Sequence, residues 1–279
     1  MNSANMRACF QIAPVARRPL RSRTSCWCKA LAFLLGFALA RPALPMVGPA
    51  QEAPEFAPFA VMVMTRSGSG ADFCTAGVIA RNVVLTAAHC VTDISDTKVF
   101  FRASENKLVV FDVAAIAAHP RWKPNSGRKR ISVDLALVRL TEPLPSRFKP
   151  LELARLDHVS IGERFRMIGF GRASEDVSGT SGVLRAGILA VGALEAPPVF
   201  VKLVDPNGTG LGGCTGDSGG PILSTDQLAL AAVAIQAKGY GGRSCGAATR
   251  AVLIGPLLPW IRETLRSWNA SWSMTQQRP

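Results

Sequence analysis

The chain has 279 residues, 48% of them apolar and 18% charged, with a formal net charge of +13. That much apolar material in a chain of this length builds a substantial core and excludes a predominantly disordered protein. Seven basic residues and no acidic ones fall in residues 1–45, leaving 25 basic against 19 acidic beyond them and a charge there of about +6. With no Lys/Arg stripe interleaved with aromatics, nucleic acid is not an expected partner.

Lys29 precedes an apolar run, Ala30 to Ala40. The run is too short to span a bilayer and has the size of a signal-peptide core. Ala38-Leu39-Ala40 supplies a small-x-small cleavage pattern. Residues 1–45 are therefore expected to be a leader made of a basic extension, a signal peptide and a short propeptide, with residues 46–279 forming one exported domain. Residues 1–28 are either an extended signal or lie upstream of the true start codon. The expected location is secreted or periplasmic, with no stable membrane anchor.

Short apolar runs separated by Gly, Pro and polar clusters follow: Phe59 to Met64, Gly77 to Leu85, Lys98 to Arg102, Lys107 to Ala115, Leu135 to Leu140 and Arg164 to Ile168. They continue as Gly182 to Val191, Pro198 to Leu203, Pro221 to Leu223, Leu228 to Ile235 and Ala251 to Ile254. Runs of this length and punctuation read as strands, which makes the domain an all-β barrel or sandwich. The last periodic segment, Pro259 to Trp268, reads as a helix with Pro in its first turn and Trp260, Ile261, Leu265 and Trp268 on a face packed against the second half of the fold. Asn269 to Pro279 read as a frayed tail.

Three motifs carry chemistry. Gly216-Asp217-Ser218-Gly219-Gly220-Pro221 surrounds one serine with residues suited to a tight, backbone-exposing turn. A serine hydroxyl is a weak nucleophile unless a positioned base takes its proton, and His89, in Thr86-Ala87-Ala88-His89-Cys90, is the candidate base. The base must be held in one tautomer by a buried carboxylate, for which Asp134, in Asp134-Leu135-Ala136-Leu137-Val138-Arg139-Leu140, is the candidate. The chain order His, Asp, Ser differs from that of subtilisin and of the α/β-hydrolases, which argues against a lipase or esterase. Outside the leader, which holds Cys9, Cys26 and Cys28, the cysteines are Cys74, Cys90, Cys214 and Cys245, an even number that suits an oxidised, exported protein and leaves three pairings open. No pair among these four has CxxC spacing, and His119 and His158 are distant in sequence, so zinc ligation is disfavoured.

Through these motifs and Gly169-Phe170-Gly171, all in family order, residues 46–279 resemble a trypsin/chymotrypsin-like serine protease; the sparse cysteines suit a bacterial-type secreted member. The resemblance implies two six-stranded antiparallel β-barrels with a C-terminal helix. It implies the pairings Cys74–Cys90 and Cys214–Cys245, and the roles of nucleophile for Ser218, base for His89 and orienting acid for Asp134. Backbone N–H groups of Gly216 and Ser218 would stabilise the oxyanion, glycine being suited to a donor-presenting turn.

Met46-Val47-Gly48-Pro49 resembles the family's mature N-terminus, and Pro58-Phe59 lies at the matching distance after it; the freed Met46 amine would pair with Asp217. Pro45 precedes Met46, so a maturation protease other than a trypsin-like one is expected to activate this zymogen. The resemblance also places Gly212, Gly239 and Thr249 around the specificity pocket. Gly212 stands where trypsin-like members carry Asp, so a basic side chain would enter unpaired, and Thr249 narrows the pocket toward small or aliphatic residues. Ala237 and Lys238 depart from the family's Ser-Trp pair at the pocket wall. No metal or cofactor is required, the expected partners are protein or peptide substrates, and a monomer is expected. The alternative is a non-catalytic cationic binding protein on the same fold.

Overall fold

The computed structural model describes residues 47–68, 70–103, 107–124 and 132–273. The leader expected over residues 1–45, and Met46, lie outside them. Strand β1 (Gln51–Glu52) and a 3-10 segment (Pro54–Phe59) lead into β2 (Ala60–Ser67), β3 (Gly70–Ala80), β4 (Val83–Thr86), β5 (Thr97–Arg102), β6 (Leu108–Ala118) and β7 (Ala136–Leu140). Then come β8 (Arg164–Gly169), β9 (Arg185–Glu195), β10 (Phe200–Val204), β11 (Pro221–Ser224), β12 (Leu230–Lys238) and β13 (Ala248–Leu253), and the chain enters the helix α1 (Leu258–Ser267).

Strands β2 to β7 close into one antiparallel barrel in the order β2-β3-β4-β7-β6-β5. The second barrel runs β8-β9-β10-β13-β12-β11 and closes through β11 pairing with β8, while β1 adds to β9. The expected chymotrypsin-like architecture of two six-stranded barrels and a C-terminal helix is therefore present.

Alternation of side chains across each strand explains why the apolar runs are unbroken. On β2, Val61 and Val63 join Val78, Val84, Val99 and Val138 inside the first barrel, whereas Ala60 and Met62 face a separate apolar layer with Leu85, Leu135 and Leu137. Strands of the second barrel divide in the same way. Met167, Val201, Ile222 and Ala251 fill its interior, and Ile168, Val233 and Val252 join the layer that also takes Ile261 and Leu265 of α1. Strands buried on both faces need apolar residues at successive positions, and the layer between the barrels is what buries the outer face.

The structure corrects several boundaries. Gly77 to Leu85 is not one strand: β3 ends at Ala80, Arg81 and Asn82 make the turn, and β4 returns with Gly77 opposite Leu85. Burial on both faces hides the reversal in the hydropathy, and only the polar pair Arg81-Asn82 marks it. β3 begins at Gly70, seven residues before the expected start, because its first residues are solvent-exposed and carry no core pattern. The helix α1 buries Leu258, Ile261 and Leu265, but its tryptophans reach the first barrel. Trp260 meets the ring of His119 edge-on at 4.9 Å, and the Arg139 guanidinium of β7 lies over Trp268 at 5.7 Å. Nor is the segment after Asn269 simply frayed. Ala270 is buried, and Leu153 N–H donates to the Ser273 carbonyl at 3.0 Å. Residues 274–279 lie outside the described ones. No helix among the described residues is long and apolar enough to cross a membrane.

Candidate active site

His89 sits in a single 3-10 turn, Ala88–Cys90, directly after β4. Cys90 is bridged to Cys74 of β3 (S–S 2.06 Å), so the turn is covalently tied to the neighbouring strand. Asp134 lies two residues before β7, the other neighbour of β4. Its carboxylate takes both N–H groups that His89 presents: Oδ1 accepts from the backbone N–H at 2.9 Å and Oδ2 meets Nδ1 at 2.6 Å. The Asp134 side chain is 12% exposed and that of His89 37%, so the carboxylate is screened while the imidazole edge remains open. With Nδ1 held as a donor, Nε2 is the free acceptor.

Ser218 arrives from the second barrel on a turn built from backbone. Asp217 N–H donates to the Cys214 carbonyl at 3.0 Å, and Gly216 has φ +95°, the arrangement of a type II turn that favours glycine at its third position. Thr215 O accepts from Arg172 N at 2.9 Å and Asp217 O accepts from Gly220 N at 2.9 Å. Across a trans peptide the N–H points opposite the carbonyl, so these two bonds turn the N–H groups of Gly216 and Ser218 the other way. Neither N–H donates to any described residue. No hydrogen bond joins Ser218 Oγ to His89 among the described residues; such contacts are often long without substrate and tighten in the complex.

The two walls are stitched together by Thr75 of β3, a residue for which sequence inspection assigned no role. Thr75 is fully buried; its N–H donates to Ser218 O at 2.9 Å, and its hydroxyl donates to Gly216 O at 2.9 Å while accepting from Phe170 N at 3.0 Å. Its carbonyl accepts from the Thr86 hydroxyl, 2.9 Å away and three residues before His89. The only signal in the sequence is that Thr75 follows Cys74.

Asp217 is 1% exposed, with Oδ1 accepting from Gly171 N at 2.8 Å and Oδ2 from Cys214 N at 2.9 Å. Burial pushes its carboxyl up to about 6, against the pull of the two N–H donors and the Arg185 charge. The Gly169-Phe170-Gly171 motif now has a physical reason, since a Cβ on either glycine would collide with the Asp217 carboxylate. The proposed partner of Asp217, Met46, lies outside the described residues. Its neighbour Val47 accepts from Gly212 N at 3.1 Å, five residues before Asp217.

At the expected pocket, Gly213 N donates to Thr249 Oγ1 at 2.9 Å, and Thr249 is 1% exposed. A Cβ on Gly213 would meet Thr249 and the Met167 methyl at 3.1 and 3.2 Å, so this floor is narrow and uncharged. Cys214–Cys245 joins the two sides. At Gly239 a Cβ would run into the backbone of Arg243 at 2.5 Å, so glycine there is also required by the closure of its own loop. That loop is fastened to the 172–183 loop by Arg243, which pairs with Glu175 at 3.1 Å and Asp176 at 2.6 Å, and by Ser244 N donating to Glu175 at 2.6 Å.

Cys74, His89 and Cys90 bring potential metal-ligand atoms within 4.8 Å of one another, but the two sulfurs are bonded to each other, which leaves the imidazole alone. His119 is a structural residue. Burial, then the Arg121 charge, lowers its pKa, and its Nδ1 accepts from Arg121 N at 3.1 Å, as a neutral ring packed on Trp260 would.

The family model described as Trypsin matches residues 46–261. A chymotrypsin of Phaedon cochleariae is 26% identical over 197 residues, covering 65% of this chain and 70% of the relative. A vitellin-degrading protease of Bombyx mori is 27% identical over 220 residues, covering 70% and 80%. Among solved structures, neuropsin, a serine protease expressed in the limbic system of mouse brain, superposes with a TM-score of 0.62 at 22% identity, covering 77% of this chain and 98% of that one; this likeness concerns the fold.

Proposed function

Because this chain belongs to the trypsin family and is a serine endopeptidase, we propose that it cleaves peptide bonds through His89, Asp134 and Ser218 by way of an acyl-enzyme. The observation that carries the assignment is the Asp134 carboxylate holding both N–H groups of His89 at 2.9 and 2.6 Å. His89 Nε2 takes the Ser218 proton as Oγ forms its bond to the scissile carbonyl carbon, and Asp134 stabilises the imidazolium that results. Charge on the carbonyl oxygen is met by the N–H groups of Gly216 and Ser218, already oriented before the reaction. The imidazolium then protonates the leaving amine as the C–N bond breaks, and water, deprotonated by His89, hydrolyses the ester.

The finer reading concerns substrate and maturation. A floor of Gly212, Gly213 and Thr249 without a carboxylate suits a small or aliphatic neutral side chain before the cut, since a cation there would be desolvated and unpaired. Met46 is the proposed mature terminus, supported by Val47 lying against Gly212, with its amine going to Asp217 after a maturation protease removes residues 1–45. Two disulfides and the apolar run ending at Ala40 support export to an oxidising compartment, secreted or periplasmic. The mature domain, residues 46–279, is proposed to act as a monomer on protein or peptide substrates.

Fluorophosphonate labelling tests the assignment. The processed protein is expected to label at Ser218, and Ser218→Ala is expected to lose both labelling and all but residual turnover. A processed wild-type chain that does not label would instead be a cationic binding protein on the same fold. Intact-mass measurement tests maturation; an active protein beginning at Arg41 would overturn the role given to Met46.

A further inference from the structure

Asp217 is a buried carboxylate, and in the proposed mechanism its counter-charge is an amine that exists only after the chain is cut. A second cation is already in place. Arg185, the first residue of β9, is 5% exposed, and its Nη1 donates to Gly171 O at 3.1 Å and to Thr180 O at 2.9 Å. It shares Gly171 with Asp217, whose Oδ1 accepts from the Gly171 N–H at 2.8 Å, and its charge favours the ionised Asp217 carboxylate.

The peptide that Arg185 grips leads directly into the oxyanion turn. Gly171 O and Arg172 N belong to one peptide unit: Arg185 donates to its carbonyl, and its N–H donates to Thr215 O at 2.9 Å. Thr215 O in turn belongs to the peptide whose N–H is that of Gly216. A cation at the start of such a chain polarises each amide in the same sense and strengthens the last donor. Each link also fixes the plane of the next peptide. β9 therefore contributes both a charge that acts on Asp217 and an orienting chain that ends on Gly216 N–H.

We infer that Arg185 is a positioning residue of the oxyanion site, ordering the Thr215–Gly216 peptide and balancing Asp217 without a freed N-terminal amine, so that the turn stands formed before the chain is cut. The inference rests on the proposed role of Ser218 and Gly216. It separates from that role because it concerns the uncut chain, where no amine is available to Asp217. In the cut chain the two cations share the task, and the effect of losing Arg185 is smaller.

The experiment compares the full-length chain with the processed form beginning at Met46, each as wild type, Arg185→Met, Arg185→Gln and Arg185→Lys. The readouts are fluorophosphonate labelling rate, kcat and KM on a short neutral peptide ester, and the unfolding midpoint. The full-length wild type is expected to label measurably. Arg185→Met is expected to slow that labelling at least tenfold and Arg185→Lys to recover much of it; in the processed form Arg185→Met is expected to lower kcat with KM nearly unchanged. Should Arg185→Met not fold, Arg185→Gln, which can keep a donor to Gly171 O but not the charge, is expected to slow labelling at least fivefold. Equal labelling of folded Arg185→Met or Arg185→Gln and the wild type in the full-length chain overturns the inference. A wild type that labels only after processing also overturns it while leaving the proposed function intact, and a wild type that labels in neither form overturns both.

Discussion

The two walls of the cleft are held by different means. On the first barrel, His89 and Asp134 are joined side chain to side chain and side chain to backbone, on segments pinned by a disulfide and by pairing with β4. On the second barrel, the turn around Ser218 is shaped by peptide planes. Gly216 and Gly219 have positive φ, and carbonyls are gripped by Arg172, Gly220 and the Thr75 hydroxyl. The first wall positions a proton acceptor through a few strong polar contacts; the second positions donors through many modest ones. Losing a partner should therefore damage the first wall's chemistry more than its stability, and the second wall's stability as much as its chemistry.

Asp134→Asn is the sharpest way to break that contrast. The amide keeps the shape and removes the acceptor that fixes the Nδ1–H tautomer, so kcat is expected to fall about 10⁴-fold, the size of loss that the same carboxylate-to-amide change produces in a Ser-His-Asp protease. The unfolding midpoint should move little. A loss of less than about tenfold in steady-state turnover would mean that this contact does not control the base.

The next effect concerns the charge under the second wall. Asp217 in the folded chain binds its proton up to about pH 6, against about 3.9 for an unfolded Asp. Between those values the folded state holds more protons than the unfolded one, so the stability contribution of Asp217 falls as pH rises from about 4 to about 6 and is flat above. Full-length wild type compared with Asp217→Asn in denaturant titrations at pH 4 and pH 7 should show the wild type losing about 2 kcal/mol relative to the variant over that interval. A difference independent of pH would show that the carboxylate is not strained by burial.

Thr75→Val joins both walls in one test. It removes a hydroxyl that donates to Gly216 O and accepts from Phe170 N, leaving two buried polar groups unpaired at about 2 kcal/mol of stability. Because one of them orients the oxyanion turn, kcat should fall with it. Full stability in chemical denaturation would mean that water replaces the hydroxyl. Arg243→Ala is expected to be the smallest change. Its ion pairs with Glu175 and Asp176 lie at the surface, where solvent screens them, so thermal unfolding should barely shift while preference among neutral peptide substrates changes as the Gly239–Cys245 loop loosens.

Legibility followed the same division. His89, Asp134 and Ser218 stand in short motifs with distinctive neighbours, and the strands announced themselves as apolar runs. Thr75 and Arg185 carried no such mark, since a threonine in a strand and an arginine at a strand start are ordinary until their partners, Gly216 and Gly171, are brought beside them from distant parts of the chain. Residue types and their order by themselves determined the all-β class, an even set of four cysteines beyond the leader, the candidate nucleophile and its base, and the absence of a carboxylate at Gly212. Tertiary structure alone decided the hairpin hidden in Gly77 to Leu85, the contact of α1 with the first barrel, the reason for Gly169 and Gly171, and the run of bonds from Arg185 to the Gly216 peptide. Side-chain chemistry is local and travels with the sequence, whereas the direction of an N–H depends on which distant groups grip the peptide that bears it.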